Sequence, residues 1–275
     1  MFREEPGKMG KRRGIPKVST GRDARTMIRQ GKWRKPTAGL AAGYVQANLV
    51  VLPRDAAYDF LLFAQRNPKP CPVIEVTDTG SPEPRLSAPG ADLRTDIPKY
   101  RIYRDGELTA EVTDLLEVWT PDLVAFLLGC SFSFEAALLQ AGVPVRHIEE
   151  NRNVPMFITS VACLSAGAFS GPLVVTMRPV PAPLVPKAVQ VSGRFPAVHG
   201  APVHVGDPAA IGIRDLGRPD FGDAVTIRPG EIPVFWACGV TPQAVAMRAK
   251  PPLMISHAPG HMFVTDLRDE AVAAF

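Results

Sequence analysis

The sequence predicts an α/β protein: a three-layer, mixed-sheet domain built from both chain ends, with a smaller α+β domain inserted between them. Three observations carry that expectation. Strand patterns alternate with helical ones toward both ends of the chain, as in layered α/β folds. Hairpin and strand signals concentrate in the middle. The proline-rich joint Arg178-Pro-Val-Pro-Ala-Pro-Leu-Val-Pro186 is the best internal linker candidate. The expected division is a basic, disordered arm over 1–23, the three-layer domain over 24–105 plus 187–275, and the inserted domain over 106–186.

Each element has a local reason. Residues 24–30 read as a short helix closed by Gly31, and Tyr44–Leu52 as a buried strand stopped by Pro53. Ala56–Gln65 places Ala57, Phe60, Leu61 and Ala64 at helical spacing. Val73–Val76 is a strand, and 77–98 a polar loop. Asp105-Gly106 between two β-rich runs is a hairpin signal. Thr120-Pro121-Asp122 predicts a helix start, with a cap, a Pro in the first turn and an acid behind it, and a helix to about Leu128. Ser133 is expected to cap the next helix, which Gly142 ends. Strands are expected near 155–160, 173–177, 201–205, 224–228, 234–237 and 253–256. Helices are expected over 187–194 and from Thr241-Pro242.

Composition excludes several classes of function. Hydrophobic residues make up 46% of the 275-residue chain and charged ones 21%, which suits a globular protein with its own core. Aromatic residues, at 7%, are too few for a stacking platform on single-stranded nucleic acid. Residues 1–35 hold twelve Lys/Arg and three acids, so the rest of the chain, with 19 bases and 24 acids, is mildly acidic. The basic pI thus belongs to the arm, which reads as a solvated leader. The start of the chain lacks the pattern of a signal peptide, and no apolar run approaches the roughly 18 residues of a membrane span. Cys71, Cys130, Cys163 and Cys238 form no CxxC pair, which argues against structural zinc and a disulfide framework. The expectation is a cytoplasmic protein without nucleic-acid or membrane partners and without a cofactor. A homodimer is left open.

Polar chemistry concentrates in a few short motifs. Ser131 and Ser133, in Gly-Cys-Ser-Phe-Ser-Phe-Glu135, lie at a helix start, where free amides favour an anion, although a plain capped turn would look the same. Arg146-His147-Ile-Glu149-Glu-Asn-Arg152 offers arginines to clamp a carboxylate and a Glu–His pair for acid–base work, against a solvated loop of surface ion pairs. His204 and Asp207 suggest a proton relay. His257 and His261 have an i, i+4 spacing that Pro259-Gly260 makes unlike a zinc helix. Cys238, Gly239 and Thr241 form a strand–turn–helix junction, the usual ligand position in open sheets. A thiol there would have a lowered pKa, unless Cys238 is merely a small buried hydrophobe.

These blocks, with Asn67-Pro-Lys-Pro-Cys-Pro72, Thr95-Asp-Ile-Pro-Lys-Tyr100, Val154-Pro-Met156, His199-Gly-Ala-Pro-Val-His204, Phe235-Trp-Ala-Cys-Gly239 and His257-Ala-Pro-Gly-His261, resemble the D-glutamate cyclase family over about residues 24–268. Its bacterial members are called hydro-lyases. The resemblance implies loss of water from a small amino or organic acid, with cyclisation of D-glutamate to 5-oxo-D-proline as the reaction that names the family. On that reading His147, Glu149, His204, Asp207 and His257 are the candidate catalytic residues. Ser131, Ser133, Arg146, Arg152, Cys238, Gly239 and Thr241 would bind a small carboxylate substrate, and no metal is expected. The alternatives are a non-catalytic binder of small organic acids and a metal-dependent hydrolase built on His199, His204, Asp207, His257 and His261.

Overall fold

The computed structural model describes residues 18–274, so most of the expected basic arm lies outside the described residues. Helix α1 (Gly21–Arg29) starts where the Thr20 hydroxyl accepts a hydrogen bond from the Asp23 amide. Its Arg25 donates to the Val264 carbonyl and pairs with Asp266, and Arg29 pairs with the fully buried Asp96. Strand β1 (Tyr44–Pro53) runs directly into α2 (Arg54–Arg66), followed by β2 (Val73–Val76). Strands β3 (Tyr100–Arg104) and β4 (Glu107–Val112) form the expected hairpin. Its two turn residues, Asp105 (φ 51°) and Gly106 (φ 85°), both take the left-handed conformation that Asp-Gly tolerates.

The stretch expected to be a helix after Pro121 is instead β5 (Leu123–Gly129). Leu-Val-Ala-Phe-Leu-Leu is apolar on both faces, so it carries no period to separate strand from helix. Pairing with β1 along its length, from Ala47↔Gly129 to Pro53↔Leu123, decides the matter. Thr120-Pro121-Asp122 serves as the turn into that strand: the Leu123 amide donates to the Thr120 carbonyl, and the Thr120 hydroxyl to Asp122.

Helix α3 (Phe132–Gln140) follows, then the single turn α4 (Arg146–Glu149). Strands β6 (Met156–Ala162) and β7 (Pro172–Pro181) pair next, before α5 (Val185–Gly193). The proline-rich joint is therefore partly strand. Pro179 and Pro181 lie beyond the last β6 partner, Thr176↔Met156, where the missing N–H groups are tolerated. The chain ends with β8 (His204–Val205), β9 (Glu231–Ala237), α6 (Val240–Ala249), β10 (Met254–His257) and β11 (Phe263–Arg268). The strand expected at 224–228 does not form, and β11 adds one that was not expected.

The α/β class is what the structure shows, arranged as two sheets. One has the order β2-β5-β1-β10-β3-β4, with β11 also on β1; the other has the order β6-β7-β9-β8. Every registered strand pair is antiparallel, so the sheets are not mixed in direction. β5 belongs with β1, and β9 with β7, so sheet membership does not change at 106 and 186.

The period of two sorts side chains between cores. Val50 and Leu52 of β1 join Val124, Phe126 and Leu128 of β5 under α2 and α6. Ala47, Leu49 and Val51 meet Ala125 and Leu127 on the other face, packed against Ala88, Leu93, Ile97 and Leu115 from the loops. In the second sheet Val234 and Trp236 face α3 and α5, whereas Phe235 and Ala237 face Ile211, Ile213 and Val225. The packing is tight where β5 ends. A Cβ on Gly129 would stand 2.2 Å from the Ala197 carbonyl, so only glycine lets segment 196–198 pass.

Candidate active site

The β5–α3 junction carries buried polar chemistry. Ser131 is the N-cap of α3, but its hydroxyl makes no capping bond. It accepts instead from the Arg178 guanidinium at 3.2 Å. Arg178 rises from the centre of β7, 1% exposed, and binds the Glu135 carboxylate through both Nε and a terminal nitrogen. A fourth bond, at 3.1 Å, goes to the Thr176 hydroxyl, and the guanidinium lies over the Phe134 and Trp236 rings. His147 from α4 completes the cluster, with Nε2 3.1 Å from Glu135 Oε1.

Glu135 is therefore a buried carboxylate facing an arginine and a histidine. Burial by itself would push its pKa up. The Arg178 charge and the His147 hydrogen bond outweigh it, and the pKa falls below its ordinary value. Because Nε2 faces the carboxylate, it carries the proton in the neutral ring. That leaves Nδ1 as the atom able to accept one. His147 Nδ1 and the Ser133 hydroxyl are both buried without a hydrogen-bond partner.

Both side chains line a cleft of about 750 Å³. The α3–α4 side contributes Phe132, Ser133, Glu135 and His147, with Asn151 and Arg152 beyond. The segment 36–46, with Pro259, Gly260 and Asp269, supplies the rest. Thr37 and Gln46 hold that segment in place: the Thr37 hydroxyl donates to Gln46 Oε1, and Gln46 Nε2 to the Thr37 carbonyl. The cleft is thus mostly small and apolar, with a few polar groups converging at one end, as expected of a small-molecule site.

The D-glutamate cyclase model matches residues 124–266, which include all of β5 but its first residue, together with Glu135, His147 and Arg178. The chain belongs to the D-glutamate cyclase family. Its relatives match nearly end to end. The Geobacillus kaustophilus protein named "Putative hydro-lyase GK2103" is 66% identical over 91% of this chain and 95% of its own. "Putative hydro-lyase" of Stutzerimonas stutzeri is 68% identical over 90% and 93%. "Putative hydro-lyase YcsI" of Bacillus subtilis is 64% identical over 92% and 98%. Among solved structures, a nitrogen repressor-like protein from Methanococcus jannaschii aligns over 86% of this chain and 92% of its own at 11% identity, with a TM-score of 0.37, too low to define a fold relationship.

Within this family member the residues expected at the site fall into three groups. Ser133 and His147 meet at the cleft's polar end and Arg152 lines it farther out, while Ser131 sits behind them on Arg178 and does not line the cleft. Arg152 also donates to the Ala224 carbonyl, which ties it to the 220s loop. Arg146 and Glu149 pair with each other at 3.2 Å. Arg146, 1% exposed, also binds Glu231, so it pins α4 to β9 and does not open onto the cleft.

The third group lies elsewhere. His204 Nε2 contacts the backbone carbonyl of Asp207 at 2.7 Å, while the Asp207 carboxylate caps the turn at Ala209. A backbone carbonyl cannot relay a proton, so the expected His–Asp relay gives way to a loop clasp. Cys238 is buried, and burial pushes its thiol up to about 11, the reverse of an activated nucleophile. Thr241 is fully buried and exchanges hydrogen bonds with the Val174 amide and carbonyl, locking α6 onto β7. Gly239 packs so close to Asn48 that a Cβ would stand 2.2 Å from its amide nitrogen. His261 contacts its own turn through the Pro259 carbonyl. Among the described residues no group of three or more His, Cys, Asp or Glu could hold a metal ion.

Two histidines are structural pins. His257 Nδ1 accepts from the Leu49 amide, and His199 Nδ1 bonds the Lys69 carbonyl. Burial drives both pKa values from 6.5 to about 4. Lowered folded values mean that the unfolded chain binds more protons between pH 6.5 and 4, so stability rises with pH across that window. Asp269, raised by burial to about 6, opposes the trend with one proton. Urea midpoints should therefore climb from pH 4 to 6.5, and His257→Gln should flatten the climb. A wild-type profile flat over that range would contradict neutral buried rings.

Three residues of the site were not singled out from sequence: Glu135, Arg178 and Asp269. The available signal was a lone charge inside an apolar element, Glu135 in Phe-Ser-Phe-Glu-Ala-Ala-Leu-Leu and Arg178 in Leu-Val-Val-Thr-Met-Arg. Such a charge is buried only when paired.

Proposed function

We propose that this protein is a hydro-lyase that removes water from a small amino or organic acid held in the cleft, with cyclisation of D-glutamate to 5-oxo-D-proline as one reaction it can perform. The observation that carries this reading is the Glu135–His147 pair, with Nδ1 unpartnered at the cleft's polar end. The names of relatives 64–68% identical agree with it.

The chemistry follows from the pair. Neutral His147 takes a proton through Nδ1, either from carbon beside a carboxylate or from an attacking amine. The resulting imidazolium is stabilised by Glu135, which Arg178 keeps ionised. Ser133 is placed to donate to an oxygen on which charge develops. Arg152 offers a guanidinium to the substrate carboxylate. In elimination the electron pair of the broken C–H bond forms the double bond, and the hydroxyl leaves with its own pair, to be protonated to water. In cyclisation the amine nitrogen bonds to the distal carboxyl carbon, and one carboxyl oxygen leaves as water.

An NMR screen of D-glutamate, 5-oxo-D-proline and small 2- and 3-hydroxy acids tests the reading. Appearance of a dehydrated product is the expected result. Saturable binding with no turnover of any compound would instead identify a binding protein for organic acids.

A further inference from the structure

The reaction proposed above needs a second proton-transferring group, since a departing hydroxyl must be protonated. Where the proton and the hydroxyl leave from opposite faces of the substrate, His147 holds the removed proton on one face and cannot deliver it to the oxygen departing from the other. The Glu135 carboxylate is tied to Arg178 and His147, and Arg178 is held beneath it. Among the residues lining the cleft, the remaining carboxyl is Asp269.

Asp269 follows directly on β11, and its amide donates to the Gly43 carbonyl, which sets it beside Gly43 and Tyr44 on the cleft wall. Its Oδ1 is buried and has no hydrogen-bond partner, unlike the neighbouring Asp266, which is paired with Arg25. No arginine or lysine within ion-pair distance of Asp269 is present among the described residues, because Arg268 turns to Glu270 and lies over the Tyr44 ring. The charged and titratable groups around it are Glu270 and Arg268 on its own segment and Tyr44 from β1. His147, Glu135 and Arg152 line the same cleft from α3 and α4.

Resting on the hydro-lyase reading, we propose that Asp269 is a further catalytic residue, the general acid that meets the leaving oxygen across the cleft from His147. In the step, the carbon–oxygen bond breaks and its electron pair goes to oxygen. The Asp269 carboxyl proton passes to that oxygen, and water departs. Asp269 ends as a carboxylate and His147 as an imidazolium, and solvent returns the proton from one to the other. Burial, reinforced by Glu270, favours the protonated form that this role requires, with the carboxyl raised to about 6.

Two measurements on the full chain test the assignment. Carbon-13 NMR of aspartate-labelled protein should show one carboxyl titrating near pH 6 that disappears in Asp269→Asn. If that resonance titrates near 3.9, as an ordinary aspartate does, the proposal is overturned. The second is turnover of the compound that scores highest in the NMR screen. Asp269→Asn should lower kcat by about 100-fold or more with little change in KM, as loss of a general acid does. It should recover on the fluoro analogue of that compound, because fluoride leaves without prior protonation. A purely structural role would slow both leaving groups equally. Wild-type kcat in Asp269→Asn alongside an inactive His147→Gln rejects this proposal alone. Unchanged rates in both variants, or no turnover by the wild type, reject the hydro-lyase reading with it.

Discussion

His147→Gln should fold normally and lose about 10²–10⁴-fold in kcat, the usual contribution of a positioned acid–base group. Glutamine is a fair steric stand-in, and its amide can still donate to Glu135, so the carboxylate keeps a partner and the α4 turn keeps its packing. What disappears is the atom that takes up a proton. KM should move little, because His147 acts on the reacting centre rather than on the substrate's carboxylate. The companion change Glu135→Gln should cost less in binding but a comparable amount in rate. A neutral amide can still hold the ring, yet it cannot offset the charge of an imidazolium. The measurement is initial rate against substrate concentration for folded variants, checked by thermal melting. A His147→Gln protein with wild-type kcat would remove His147 from the chemistry.

The sequence revealed His147 for a physical reason. Seven polar or ionisable side chains in eight residues, framed by apolar segments, mark a place where charge is being arranged, and two of them, Arg146 and His147, turn inward. The partners of His147 were harder to see. Glu135 lies three residues into α3, where a solvent-facing acid would look identical, and only the fold puts β7 above it. Arg178 was hidden by its neighbours, since Pro179 and Pro181 read as a linker until the end of β6 frees that edge of β7. The strand at 123–129 was misread because full burial erases the periodicity on which such readings depend. His204 and Asp207 attracted attention by spacing alone. Three residues apart, a histidine and an aspartate can meet through a backbone carbonyl as readily as through a carboxylate. Local pattern thus located the polar motifs, while long-range sheet pairing selected which of them share a cleft.

Arg178→Met should be the most destabilising single change at this site, by about 3–5 kcal/mol, the range for orphaning one partner of a buried ion pair. Methionine fills much of the aliphatic volume beside Trp236 and Phe134, so the loss is dominated by Glu135, left in the interior without its guanidinium. Its dependence on pH identifies the cause. In the wild type the lowered carboxyl contributes stability that is present above its ordinary value of 4.5 and is lost as pH falls through the folded value. Without Arg178 the largest remaining influence is burial, which raises the carboxyl. A raised folded value adds stability at low pH that vanishes as pH rises through it. The deficit of the variant relative to wild type should therefore be greatest near pH 8 and shrink steadily toward pH 5, read from urea unfolding of the two proteins side by side. Arg178→Lys should recover part of it, since an ammonium restores charge but not the three-way grip on Glu135, Thr176 and Ser131. A deficit that is the same at every pH would assign the cost to lost packing on the two aromatic rings. Arg178 would then be a core residue that happens to carry charge, not the group that keeps Glu135 ionised for His147.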